Sequence, residues 1–163
     1  MYMTKTRKMR SLNKSTRKNN SISSSSGSSS GSSSMKHLEQ EIVVKFLQIL
    51  NMVKLYHWKT YSYATHKATD ELYSKLNDHI DSFMEVLLGK HGDRVNLMQT
   101  KSIALKDFNS VSDFKREMIN FKGFLVGLNS NKAMKGMSNS DLYNIRDEIL
   151  GDVNQFLYLL TFK

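Results

Sequence analysis

Two histidines and three carboxylates stand within one stretch of the sequence that has the periodicity of helices. They are His57, His66, Asp70, Asp81 and Glu85. Imidazole nitrogens and carboxylate oxygens together suit iron, zinc or manganese. Thiolate ligation is excluded, since the chain contains no cysteine. These residue types therefore predict a metal site.

The helical phase of each residue indicates the direction of its side chain. At 100° per residue, His57 falls at the end of an apolar stripe and points towards the core. Asp81 and Glu85 are spaced i, i+4, so they share one face of the next helix, beside its apolar stripe. Each observation has a structural alternative: His57 can be a hydrogen-bonded core histidine, and the two carboxylates can form a solvated polar face.

The distance along the helix decides how these residues could meet. His66 and Asp81 are fifteen residues apart on one predicted helix, which separates them by about 22 Å along its axis. They cannot bind one ion within a single chain. An antiparallel copy of the helix would bring Asp81 and Glu85 of one subunit to His57 and His66 of another. We therefore expect at least a dimer with two equivalent sites.

At these residues the sequence resembles the Dps branch of the ferritin-like proteins, which protect DNA in starved bacteria. The resemblance rests on His57-Trp58, on His66 and Asp70, and on the pair Asp81-x-x-x-Glu85. It implies a four-helix subunit, a dodecameric cage and oxidation of ferrous iron by peroxide, with the histidines from one subunit and the later two carboxylates from its two-fold mate. The link between the histidines is shorter than usual in that family and has no glycine. Residues 56–90 also resemble uncharacterised small proteins of large DNA viruses, which implies no activity.

The residues and the resemblance together predict an iron-binding ferroxidase that sequesters iron. One or two iron ions are expected at His57, His66, Asp81 and Glu85, with zinc or manganese as alternatives. Asp70 would orient a ligand or bind a second iron.

The composition excludes several classes of protein. The chain has neither cysteine nor proline, so disulfides are excluded and a helical fold is favoured. No apolar run reaches the roughly 20 residues that span a membrane, and the N-terminus has no apolar leader segment. We expect a soluble, intracellular protein without a membrane partner, in the cytoplasm or nucleoid, or in a virion if the protein is viral.

The positive charge is concentrated at the N-terminus. The chain has a net charge of +9, yet residues 1–34 contain no acidic residue. This Ser/Gly-rich segment is predicted to be a disordered tail, and residues 35–163 are predicted to form one domain. Cations on a flexible tether bind phosphate groups by counterion release, so we expect the tail to bind DNA or RNA. The cations are Lys5, Arg7, Lys8, Arg10, Lys14, Arg17 and Lys18.

Two other functions fit the same residues. The chain can be a non-enzymatic structural or nucleic-acid-packaging four-helix protein, of a virus or of a cell, with at most a structural metal that holds a dimer together. It can also be an adaptor whose tail is a solubilising or targeting signal.

The apolar periodicity predicts an all-α fold, a ferritin-like four-helix bundle. The helices are expected at 35–59, 66–88, 112–128 and 141–162, with polar links between them. Residues 89–111 are long enough to cross the length of a bundle and to join the second and third helices in parallel, the single crossover of ferritin-like folds.

Several single residues carry predictions about local structure. Gly89 is expected to end the second helix, and Ser110 through Asp113 has the form of a capping box. His79 is expected at the surface. The aromatic residues near the histidines are expected to pack the end of the bundle: Tyr56, Trp58, Tyr61 and Tyr63.

Overall fold

The computed structural model describes residues 29–135 and 138–162. Helices dominate, and the described residues contain no strand, which confirms the all-helical prediction. The helices are α1 (Ser29–Lys59), α2 (Tyr63–His91), α3 (Val111–Gly127), a 3-10 turn (Leu128–Ser130), α4 (Lys132–Lys135) and α5 (Ser140–Leu159).

The first helix is longer than the sequence indicates. α1 begins at Ser29, inside the segment predicted as disordered tail, rather than at residue 35. Once a helix has formed, each residue added to its end needs only its own φ and ψ to be fixed, so extension costs far less than nucleation. No proline stands in this region to block it.

The ends of α2 correct two predicted boundaries. Ser62 caps its N-terminus, with the hydroxyl oxygen accepting from the Thr65 amide at 3.3 Å. The helix continues through Gly89 and ends at Gly92, whose φ of 67° is the left-handed conformation that glycine adopts without strain. The prediction that Gly89 ends the helix is therefore wrong. The fully buried Leu87 anchors this last part of α2 in the core, and its burial outweighs the entropic cost of a helical glycine.

The N-cap of α3 agrees with the sequence, whereas the following link does not. Ser110 Oγ accepts from the Asp113 amide at 3.1 Å and its hydroxyl donates to the Asp113 carboxylate at 2.7 Å. The segment predicted as a polar link, residues 129–137, contains α4, and Met134 on this short helix is buried. Met134 and the partly buried Ala133 bring this segment against the core.

Residues 93–110 form a long connector that lies alongside α1. The ion pair between Lys36 and Asp93 (3.0 Å) ties its start to the beginning of α1, and the pair between Lys59 and Asp107 (2.9 Å) ties its end to the last residue of α1. The connector thus runs from the beginning of α1 to its end. The short link makes α1 and α2 antiparallel, so α2 ends near the beginning of α1. Because the connector returns the chain to the other end before α3 begins, α2 and α3 run in the same direction. Two glutamines of α1 bind connector carbonyl groups between these points: Gln40 to Asn96 (2.8 Å) and Gln48 to Ala104 (3.3 Å).

The core lies where the long helices meet. α2 makes its most extensive contacts with α5 and then with α1. The Phe46 ring of α1 meets Phe83 of α2 edge-on, with centroids 5.4 Å apart, and Tyr56 stacks on Phe114 of α3 at 4.0 Å. These contacts fix the relative position of the helices that carry the predicted site.

The predicted aromatic closure of the bundle end is wrong for most of its members. Tyr56 is buried, but Trp58, Tyr61 and Tyr63 are exposed. Trp58 follows the buried His57 by one residue, and a rotation of 100° along α1 turns it to solvent.

None of the helices described for residues 29–162 has an apolar stretch of the length that a bilayer crossing requires.

Candidate metal centre

The turn between α1 and α2 places the two histidines against each other. His57 lies in the last turn of α1, His66 in the first turn of α2, and only residues 60–62 separate the two helices. The imidazole rings are stacked, with centroids 3.9 Å apart and planes at 22°. His57 is buried and His66 is half-buried. The short link thus brings together the two histidines that the sequence predicts as ligands.

Each histidine donates a hydrogen bond to the backbone of the other. Nδ1 of His57 lies 3.0 Å from the carbonyl oxygen of His66, and Nδ1 of His66 lies 3.0 Å from the carbonyl oxygen of His57. A carbonyl oxygen only accepts, so both Nδ1 atoms must carry a proton. In the neutral rings, the lone pairs are then on the Nε2 atoms, which are the atoms left to bind a metal ion.

Asp70 lies beside the Nε2 atom of His57. One carboxylate oxygen of Asp70 is 4.0 Å from this nitrogen. Two ligand atoms that are each about 2.1 Å from one ion can be at most about 4.2 Å apart. The separation therefore lies within the span of a shared ion. The Asp70 side chain is exposed and lines an open groove between the start of α2 and the end of α5, so ions can reach it from solvent.

Asp81 and Glu85 lie far from the histidines on the same chain. Both are exposed on α2, and neither forms an ion pair with another described residue. α2 is continuous from His66 to Glu85, so about 22 Å of helix separates His66 from Asp81. The structure brings three of the five predicted ligands close together. Asp81 and Glu85 lie on another part of the surface, further along α2.

Within residues 29–135 and 138–162, no group of three or more His, Asp or Glu side chains is arranged to hold a metal. His57, His66 and Asp70 therefore lie close together without forming such a group by themselves.

Sequence reasoning missed a second polar cluster between α2 and α5. His79, predicted at the surface, is half-buried, with Nδ1 2.9 Å from Asp152 and Nε2 3.7 Å from Glu148. Lys75 Nζ lies 3.7 Å from the other Asp152 oxygen. Lys75 and His79 are spaced i, i+4 on α2, and Glu148 and Asp152 have the same spacing on α5. These spacings predict a polar cluster only when the two helices are known to be neighbours.

The cations predicted to bind nucleic acid lie outside the described residues. All seven stand before residue 19, and α1, where the description begins, starts at Ser29.

Comparison with known proteins identifies a family. A model with the description "Family of unknown function (DUF5856)" matches residues 57–160, which is more than half of the chain, and the chain belongs to this family. The match begins at His57 and includes every predicted ligand. No curated protein and no solved structure matches the chain significantly.

Proposed function

We propose that this member of the DUF5856 family binds and oxidises ferrous iron at a site between two subunits of a ferritin-like four-helix assembly. One subunit contributes the Nε2 atoms of His57 and His66, with Asp70 beside them. The other contributes Asp81 and Glu85. In this proposal iron is the substrate, and a closed cage of subunits would sequester the product.

The hydrogen-bond exchange between His57 and His66 is the observation that carries the proposal. Histidines that bind metals commonly donate their other ring N–H to an oxygen acceptor, which fixes the tautomer and orients the ring. Both rings here meet that condition through backbone carbonyl groups, and the bonds need no metal to form. The orientation of both rings is therefore set before any ion binds.

The proposed partner surface supplies the two carboxylate ligands that the histidine side of the site lacks. Asp81 and Glu85 are exposed, one turn apart on α2, and two-fold symmetry would place them opposite the same site of a second copy. The connector beside α1 and the parallel course of α2 and α3 support the ferritin-like arrangement, since that fold contains one long crossover.

The reaction balances with peroxide as the oxidant. Two ferrous ions each lose one electron, and one hydrogen peroxide takes both electrons and two protons to give two waters. Imidazole and carboxylate ligands suit both oxidation states of iron. Carboxylates stabilise the additional positive charge of the ferric product.

The basic segment at the N-terminus adds a second part to the proposal. Seven cations without a single acidic neighbour before residue 39 would hold the assembly on DNA or RNA by contacts to phosphate groups. Such contacts carry no sequence preference.

Anaerobic titration of the protein with ferrous iron, followed by peroxide, tests the catalytic part. We expect ferric absorbance to rise faster than in buffer and to saturate at a fixed ratio of iron to subunit. The variant Asp81→Asn/Glu85→Gln should lose the rapid phase. Asp78→Asn is a matched control, since Asp78 is an exposed carboxylate on the same helix that the site does not use.

The same titration separates the proposal from a purely structural role. A protein that packages nucleic acid and uses metal only as a staple would bind zinc as well as iron and would not accelerate oxidation. If the protein oxidises ferrous iron no faster than buffer does, the ferroxidase proposal is wrong.

A further inference from the structure

Thr69 places a buried hydroxyl next to the histidine pair. It lies one turn after His66 on the buried face of α2, and its side chain is fully enclosed. Its oxygen is 3.2 Å from Nδ1 of His57. It is also 2.8 Å from the carbonyl oxygen of Thr65 and 2.9 Å from that of His66. The periodicity of the sequence predicts only that Thr69 belongs to the core stripe.

The available acceptors fix the direction of these hydrogen bonds. A hydroxyl has one proton to donate. The carbonyl of His66 accepts from His57 and is also the i−4 acceptor of the residue 70 amide within α2, so both of its lone pairs are used. The carbonyl of Thr65 is the closer acceptor and therefore takes the hydroxyl proton. The oxygen lone pair of Thr69 then faces the N–H of His57.

We propose that Thr69 is a positioning residue, whose hydroxyl acts with the carbonyl of His66 to hold His57 in the tautomer with the proton on Nδ1 and so keeps Nε2 free for a metal ion. The consequence for metal binding rests on the proposed function, whereas the tautomer itself is a property of the metal-free chain. Thr69 and the carbonyl of His66 share the same N–H of His57, at 3.2 Å and 3.0 Å.

Stability alone does not account for a hydroxyl at this position. Threonine that bonds back to a helical carbonyl is neutral or slightly unfavourable inside a helix. Valine has the same shape and carries no polar group into the core. The hydroxyl is therefore best explained by its second contact, the one to His57.

The test compares Thr69→Val with Thr69→Ser in the full chain. Thr65→Val is the matched control, because Thr65 is half-buried on the same helix and only its backbone contacts this network. The measurement is the nitrogen-15 NMR spectrum of the imidazole rings in metal-free protein, which distinguishes a protonated Nδ1 from a protonated Nε2.

We expect His57 to be protonated on Nδ1 in the unchanged protein, in Thr69→Ser and in Thr65→Val. Thr69→Val should show a new population protonated on Nε2. In anaerobic titrations its affinity for ferrous iron should fall about tenfold, the lower end of the usual effect of removing an orienting partner, because the carbonyl of His66 remains. Thr69→Ser should restore both properties.

An unchanged His57 tautomer in a folded Thr69→Val variant would overturn the inference, whatever its iron affinity. If Thr69→Val shifts the tautomer but no form of the protein binds iron, the role of Thr69 stands and the proposed function fails. Urea unfolding of all three variants shows that the spectra compare folded proteins.

Discussion

His57 and His66 exchange hydrogen bonds: each Nδ1 lies 3.0 Å from the carbonyl oxygen of the other residue. The two bonds join the last turn of α1 to the first turn of α2 across a link of three residues. The bond from His66 satisfies the carbonyl of His57 in the last turn of α1, where carbonyl groups lack an intrahelical partner. The same contact therefore fixes how the ends of the two helices meet and orients both imidazole rings.

The two glycines near the end of α2 should respond in opposite ways to alanine. Gly89→Ala adds a methyl group in open space within the helix, so we expect stabilisation by about 0.5–1 kcal/mol. Gly92→Ala forces an alanine into a φ of 67° and should destabilise by about 1–2 kcal/mol. Urea unfolding measures both. A stabilising Gly92→Ala would contradict the observed helix end.

Glu117 should make stability depend on acid pH. Burial raises the pKa of this carboxyl, but hydrogen bonds from Lys106 and Asn120 and the charges of Lys106 and Lys45 outweigh it, so the pKa lies below its usual value. The lower folded pKa means that its contribution is present above the ordinary glutamate pKa, about 4.3, and is lost as the pH falls through the folded value.

The measurement is the free energy of unfolding of Glu117→Gln as a function of pH. At pH 7 we expect a loss of about 1–2 kcal/mol, and the difference from the unchanged protein should shrink below about pH 4. Glu41→Gln is the control, since Glu41 is exposed and forms no ion pair with the described residues. A difference that stays constant down to low pH would contradict the ion-pair account.

Removing residues 1–28 should weaken nucleic-acid binding in a salt-dependent way. If all seven cations contact phosphate groups of a duplex, the logarithm of affinity should fall with the logarithm of salt with a slope of up to about −6. The truncated protein should show a much flatter dependence.

A full-length variant with the seven cations changed to glutamine separates charge from length, and it should behave like the truncated protein. Unchanged affinity in both would refute the tether and favour a targeting role for the segment, which localisation of the segment alone would examine.

The sequence predicted those features that depend on periodicity within one element. The buried stripe of α2, the cap at Ser110 and the placing of Asp81 and Glu85 on one face beside that stripe follow from positions on a single helix. The features it did not predict depend on contacts between elements. Gly89 is helical because the neighbouring Leu87 is buried, which local glycine preferences do not reveal.

The candidate site likewise combines features that one helix determines and features that depend on contacts between helices. Residue types and spacing identify His57 and His66 as candidate ligands, and α2 keeps Asp81 at the distance from His66 that the helical rise requires. The stacking of the two rings and the contact with Thr69 depend on how the link at 60–62 folds. The contact between His79 and Asp152 could be predicted only if α2 and α5 were already known to be neighbours.

Mixing two inactive variants tests the site between subunits most directly. One variant is His66→Asn, whose amide can still donate to the carbonyl of His57, and the other is Asp81→Asn/Glu85→Gln. Each should oxidise ferrous iron no faster than buffer. After unfolding and refolding together in equal amounts, half of the two-fold pairs are mixed and each mixed pair has one intact site, so about a quarter of the original sites should return.

The readout is the rate and stoichiometry of ferrous iron oxidation, with each variant refolded alone as the control. Recovery of about a quarter of the sites is the predicted result. No recovery in a mixture whose size matches the unchanged assembly, or full activity of Asp81→Asn/Glu85→Gln on its own, would contradict a site shared between subunits.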